Sequence, residues 1–278
     1  MKDPIIKSDG NLEAFNEAKI ISSLIKAGAT PEQAGEVLDH LKPEIQDGAS
    51  TEDIHNLALQ QLSKVEHKLA LKYSLKRAIM LMGPQGFVFE KYIAKILDKY
   101  GYSTKVGQIL KGCCVDHEVD VVAKKGNMVF FIESKYHNRR GTYSDVKTAL
   151  YVHARFVDIE KAFKNSNDSN DIHYYGWLVT NTKCTSECVK YASCVKLKVM
   201  AWQHPEEKNL QYYIENKKLY PVSILTTITK KQKETLFDSG ILLVQELVSM
   251  EAGEIMHLLS IKKINTMKIL NEIEILLG

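Results

Sequence analysis

Long apolar runs are absent from this sequence of 278 residues. No stretch reaches the roughly 18 residues needed to span a bilayer, and the opening MKDPIIKSDG lacks the apolar core of a secretion signal. These absences argue against a membrane partner and predict a cytoplasmic protein. Cysteine is scarce: Cys113, Cys114, Cys184, Cys188 and Cys194 make five, an odd number, with no CxxC pair and no HxxxH nearby. They are expected as reduced thiols; a zinc site built from Cys184, Cys188 and Cys194 is the rarer alternative to burial as single side chains. A large charge excess is missing too, because 37 basic residues face 34 acidic ones for a net charge of +3. No global field then draws nucleic acid to the chain, and any basic patch must be local.

What remains is an ordinary globular composition, 45% hydrophobic and 26% charged, in a chain long enough for two or three domains. Residues 5–15 read as two short strands around Ser8-Asp9-Gly10-Asn11, since Gly and Asn tolerate positive φ. Helices are expected at 16–27, 31–46 and 51–80, where Ile20, Leu24, Ile54, Ala58 and Leu62 recur at helical spacing. Thr30 and Pro31 supply a cap and a first helical residue. Gly83-Pro84-Gln85-Gly86 breaks this pattern. Beyond it, helices at 87–100, 144–164 and 185–192 alternate with strands near 106, 118–124, 128–136, 174–180 and 195–201, around a polar loop NSNDSND. That alternation predicts an α/β core. From Tyr220 the pattern is helical again. The expected fold is a multi-domain α/β chain: a helical domain with a hairpin lid at 1–82, an α/β core at 83–218 and a small helical module at 219–278.

Within the core, HEVDVVAKKGNMVFFIESKYH is two β-rich runs joined by Gly126-Asn127, a pair suited to a two-residue hairpin turn. With those two residues as the loop, Lys125 faces Met128 and Asp120 lies opposite Glu133. Opposed residues share a face, with β-carbons about 5 Å apart, so the two acids repel unless a positive group lies between them. Lys135 returns to the same face two residues later. Two oxygen donors and an ammonium suit Mg²⁺ or Mn²⁺ and phosphodiester hydrolysis, the metal polarising phosphate and acidifying water. The competing reading is an exposed polar face on an edge hairpin.

Asp120, followed by Glu133-Ser134-Lys135, resembles the diagnostic hairpin of the PD-(D/E)XK nuclease superfamily. GFVFEKYIAKILDKYGYSTKV and WLVTNTKCTSECVKYA are similar to its Mrr-like restriction endonuclease branch, so the resemblance covers roughly residues 83 to 200. That branch often has Gly-Val-Asp and Gln-x-Lys where this chain has Glu118-Val119-Asp120 and Glu133-Ser134-Lys135. The resemblance implies a restriction-endonuclease-like core with Asp120, Glu133 and Lys135 as catalytic residues, Asp120 and Glu133 holding the metal, and Glu90 as a further acid. Read by itself, Glu90 is as well explained as a solvated helix residue. The loop HNRRGTYSDVK places His137, Arg139, Arg140 and Lys147 beside a helix start, where they can meet DNA phosphates or stay solvated.

At the front, Lys7 and Lys19 lie near a turn and a helix N-terminus, a geometry that suits phosphate, although two surface lysines are by themselves a weak signal. Ile6-Lys7 with Asp9-Gly10, then Glu13, Phe15 and Lys19-Ile20, Thr51-x-Asp53-Ile54-His55, and Tyr73 with Arg77 resemble the ATP cone, a nucleotide-binding regulatory domain. The resemblance implies that Lys7, Glu13, Lys19, Thr51 and His55 contact ATP or dATP; Ser8 stands where that family usually has Arg. No G-x-x-x-x-G-K-[ST] loop occurs, so the nucleotide is expected as an effector and not as fuel. In the tail, Ser239-Gly240-Ile241 and a weaker copy at Leu259-Ser260-Ile261 resemble helix-hairpin-helix turns. Gly240 would then offer a backbone N–H to DNA phosphate; an oligomerisation bundle is the equal alternative.

Two functions follow. One is an ATP- or dATP-responsive, Mg²⁺-dependent DNA endonuclease acting as a homo-oligomer. The other is a non-enzymatic, nucleotide-regulated DNA-binding protein with an inactive nuclease fold.

Overall fold

The computed structural model describes residues 4–7, 10–46, 48–83, 86–139, 141–166 and 171–278. Ser8 and Asp9 of the expected turn, Pro84-Gln85 of the expected boundary, and Arg140 lie outside them. The chain divides into two compact units: 1–78 with 222–236 and 247–278, and 79–221 with 237–246. The tail set apart at 219–278 by sequence reading is therefore shared between the two. Among the described residues no helix is long and apolar enough to cross a membrane.

The first unit opens with a hairpin of β1 (Ile5–Ile6) and β2 (Leu12–Glu13). Gly10 at φ +85° closes its turn by donating to the Lys7 carbonyl at 2.9 Å, and the Lys7 N–H donates to Asn11 at 2.8 Å. Helices α1 (Glu17–Lys26), α2 (Pro31–Leu41), α3 (Thr51–Val65) and α4 (His67–Met80) follow. Each of the first three begins where a side chain takes an orphan N–H: Asn16, then Thr30 ahead of Pro31, then Ser50 in a capping box with Asp53. Ile20, Leu24, Val37, Leu41, Ala58 and Leu62 form their common core. The expected helix 51–80 is in fact two, because Glu66 is extended (φ −157°, ψ 115°). The change of direction allows Leu69 and Ala70 to join the core that already holds Leu62.

The second unit holds a five-stranded sheet in the order β3 (Ser103–Lys111), β4 (Asp116–Lys125), β5 (Met128–Lys135), β7 (His173–Thr180), β9 (Lys198–Met200). The first three strands are antiparallel neighbours, and β5, β7 and β9 run parallel. A two-residue parallel pair, β6 (Tyr143–Ser144) with β8 (Lys183–Cys184), stands apart. Helix α5 (Phe87–Lys99) packs on β3, β4 and β5, while α6 (Val146–Ser166) packs on β7 and on α7 (Ser186–Cys194). Phe156 of α6 lies so close to β7 that a Cβ on Gly176 would meet its ring at 2.8 Å. Helix α8 (Leu210–Asn216) completes the core segment.

The tail helices are α9 (Lys230–Asp238), α10 (Val244–Val248), α11 (Ala252–Leu259) and α12 (Lys263–Leu277). Within the first unit, Glu272 of α12 is buried, and its carboxylate accepts from the backbone N–H of Thr226 (2.8 Å) and Thr227 (3.0 Å) and from both hydroxyls. His67 of α4 approaches the same carboxylate at 3.7 Å.

Candidate active site and nucleotide site

The β4–β5 hairpin has the register its turn predicts. Gly126 takes φ +59°, Lys125 pairs with Met128, and the ladder runs to Val121 opposite Ile132. The ladder ends there and the Asp120 side chain takes over: its carboxylate accepts from the Ser134 N–H at 2.6 Å. Helix α5 carries Glu90 to the same place.

These acids are electrostatically strained. Burial pushes Glu133 up to about 7, with the Asp120 charge second, against the pull of Arg155 and Lys135. Burial also pushes Glu90 up to about 7, helped by Asp120, Glu118 and Glu133. Asp120 rises through burial as well, opposed first by its hydrogen bond to Ser134. Lys135 is exposed at the rim, and its charge holds Glu133 and Asp120 down.

Two residues here were not read from the sequence. Glu118 was visible as an acid two positions before Asp120, yet nothing local marked it as part of the cluster. Arg155 of α6 donates to Glu133 at 2.7 Å and stacks over Tyr151 at 5.1 Å. An arginine within an amphipathic helix carries no sequence signal, because only the packing of α6 on the sheet aims it. The positive group opposite the acids is thus a guanidinium.

Among the described residues no group of three or more His, Cys, Asp or Glu side chains is arranged to hold a metal ion. Asp120 and Glu133 are two hard oxygen donors, with Glu133 paired to Arg155. That donor set fits Mg²⁺ or Mn²⁺, which commonly take one or two carboxylates and complete their shell with water and substrate phosphate.

The loop after β5 is built for shape. The His137 N–H donates to the Asn181 carboxamide oxygen at 2.8 Å, the Asn181 amide returns a bond to the His137 carbonyl at 2.8 Å, and the His137 ring meets the Ser144 hydroxyl at 3.1 Å. Burial, then Lys135, lowers the His137 pKa. This anchoring contrasts with the phosphate contact expected of His137. Arg139 and Lys147 are exposed.

In the first unit, Glu13 ties Lys7 (3.4 Å) and Lys19 into one ion network. The hairpin meets the start of α3: Ile6 bridges to Ser50, and its N–H donates to Ala49 at 3.1 Å. Lys7 and Thr51 each follow directly on this bridge. His55, one turn along α3, stacks on Tyr73 with ring centroids 4.7 Å apart, and Arg77 on α4 is held by Glu52 at 3.2 Å. All five residues expected at the nucleotide fall on this hairpin, α1 and the first turns of α3.

The tail turn departs from expectation. Gly240 is left-handed at φ +76°, but its N–H closes α9 by donating to Phe237 at 3.0 Å, and its carbonyl accepts from Lys95 at 2.7 Å. The N–H groups of Leu242 and Leu243 both go to the Glu246 carboxylate at 2.9 Å. Gly240 does not present its N–H to a phosphate. Ser260 takes the second left-handed position, φ +52°.

Comparison with known proteins bears out the ATP cone expected at the front and finds a different family from the expected helix-hairpin-helix at the tail. Residues 4–80 match the ATP cone domain, and residues 220–277 match the family described as AF1548-like, C-terminal. An uncharacterized protein of Archaeoglobus fulgidus is 37% identical over 163 residues, 58% of this chain and 86% of its own. The crystal structure of the protein of unknown function AF1548 is 30% identical with a TM-score of 0.56, covering 68% of this chain and 97% of that one. MspJI restriction endonuclease bound to a 27-mer oligonucleotide reaches a TM-score of only 0.29 at 13% identity, over 70% of this chain and 45% of that one. This chain, with an ATP cone domain in front, belongs to the AF1548-like family.

Proposed function

We propose that this protein is a nucleotide-responsive, divalent-metal-dependent DNA endonuclease. One observation carries the reading: a single hairpin, in the register its turn dictates as far as Val121 opposite Ile132, brings the next residues Asp120, Glu133 and Lys135 close enough to act on one another's charge, and α5 adds Glu90. Asp120 and Glu133 would hold Mg²⁺ or Mn²⁺, which when bound polarises a phosphodiester and acidifies water. The chain's own groups do the rest. The hydrogen bond from the Ser134 N–H orients the Asp120 carboxylate. Lys135, at the exposed rim, steadies charge developing on the phosphate or orients the attacking water. Glu90, pushed up to about 7, is poised to exchange a proton near neutral pH. In the first unit, Lys7, Lys19, Thr51 and His55 would bind ATP or dATP, with Glu13 aligning both lysines, and the bound nucleotide would set the nuclease activity.

The test is supercoiled plasmid with Mg²⁺ or Mn²⁺ and each of ATP, dATP and ADP in turn. Asp120→Asn and Lys135→Ala should each lower cleavage about a hundredfold or more. Cleavage that persists undiminished in both variants overturns the assignment. Lys19→Ala should weaken ATP or dATP binding about tenfold or more through loss of charge-assisted hydrogen bonds.

The Glu133–Arg155 ion pair favours a second reading, a nucleotide-regulated DNA-binding protein whose core does not cut. DNA retained in EDTA, with no cleavage under any metal or nucleotide, would select it.

A further inference from the structure

The Arg155 guanidinium occupies the position of the positive charge that Asp120 and Glu133 need. It touches Glu133 at 2.7 Å, its side chain is only 16% exposed, and its charge is felt at Asp120 as well. The pair is not packed solid, because a small cavity lined by Val119, Glu133, Val152 and Arg155 adjoins it. Tyr151, one turn earlier on α6 and exposed, lies 5.1 Å from the guanidinium while it pairs with Glu133, so the guanidinium sits between the buried acid and an aromatic face at the surface. A cation on Glu133 and a guanidinium on Glu133 compete for the same carboxylate oxygens.

We infer that Arg155 is an exchangeable counter-ion. It neutralises Glu133 until a divalent cation displaces it, and it then turns to the substrate phosphodiester. This rests on the metal-dependent reading of the same site. A planar fork of N–H donors suits a phosphate as well as a carboxylate, so the exchange leaves the guanidinium with an anionic partner in both states. The swap also keeps the net charge of the acid cluster low whether or not metal is bound.

Arg155→Met keeps most of the side-chain volume and removes the charge. Ca²⁺ binding to the full chain, read by calorimetry, should tighten about tenfold or more, since an opposite charge at such distances biases a carboxylate by one or more pKa units. Duplex binding in Ca²⁺, read by fluorescence anisotropy, should weaken about tenfold or more, while binding in EDTA stays unchanged because Arg155 is engaged with Glu133 there. Arg155→Lys should restore much of both. Tighter metal with weaker DNA is a pair of opposite effects that a merely structural arginine does not produce. Ca²⁺ affinity that is unchanged or weaker in Arg155→Met, or DNA affinity in Ca²⁺ that does not fall, overturns the inference. Failure of the wild-type chain itself to bind Ca²⁺, with Asp120→Asn indistinguishable from it, would instead bring down the metal-dependent reading and this inference with it.

Discussion

Replacing Glu133 with Gln should stabilise the second unit at alkaline pH relative to acidic pH, by an amount the site geometry sets. The Glu133 side chain is 20% exposed, and its pKa is raised from 4.5 to about 7. For an acid raised on folding, the protonated form is the one the native state prefers. Its stabilisation is complete below the unfolded value and is lost as pH climbs through the folded one. At about 1.4 kcal/mol per pH unit, integration between about pH 5 and about pH 8 gives a loss of about 2.5 kcal/mol in the wild type. Gln does not titrate, so the stability difference between variant and wild type should move by that amount in favour of the variant across this window. The attraction of Arg155 acts on the ionised form of Glu133 and is already contained in the folded-state pKa, so it adds no further slope to the comparison. The two tryptophans, Trp177 and Trp202, both lie in the second unit, so their fluorescence during urea unfolding in EDTA reports on it without interference from the first. A difference that stays flat between pH 5 and 8, or moves toward the wild type, would refute the assignment of burial and acid–acid repulsion as the dominant forces on Glu133.

Other substitutions test the supporting structure. Glu272→Ala removes the acceptor for two backbone N–H groups and two hydroxyls in the first unit, and should destabilise that unit by about 4 kcal/mol, read as earlier loss of helical circular dichroism in urea. Ser134→Ala should be neutral or stabilising by up to about 1 kcal/mol in the tryptophan assay, because the Ser134 hydroxyl is buried with no hydrogen-bond partner among the described residues. Gly176→Ala should cost the second unit about 2 kcal/mol or more, since its new methyl would meet Phe156 at 2.8 Å and Leu197 at 2.9 Å, and a well-packed interior resists such insertion.

What could be read without coordinates was local. Gly126-Asn127 defines a two-residue turn, and alternation along the strands then carries the register outward to Val121 opposite Ile132, the pair next to Asp120 and Glu133, so the nearness of the two acids was legible from short-range geometry. The cap at Thr30 is of the same kind, a hydrogen bond from the Gln33 N–H three residues on in sequence. The start of the third helix was also legible, but not its break at Glu66, where no Gly or Pro stands. That break is decided by the burial of Leu69 with Leu62, which sequence patterning over one helix does not register. Arg155 and Glu90 reach the acid pair only because α6 and α5 pack on the sheet, and that placement comes from apolar burial between segments far apart in the chain. The Gly240 turn is mixed: its N–H is taken locally by Phe237 three residues before it, while its carbonyl is taken by Lys95 of α5, which only tertiary packing brings there. Chain chemistry over a few residues thus determined the hairpin and its charges, and long-range burial decided which counter-charge meets them.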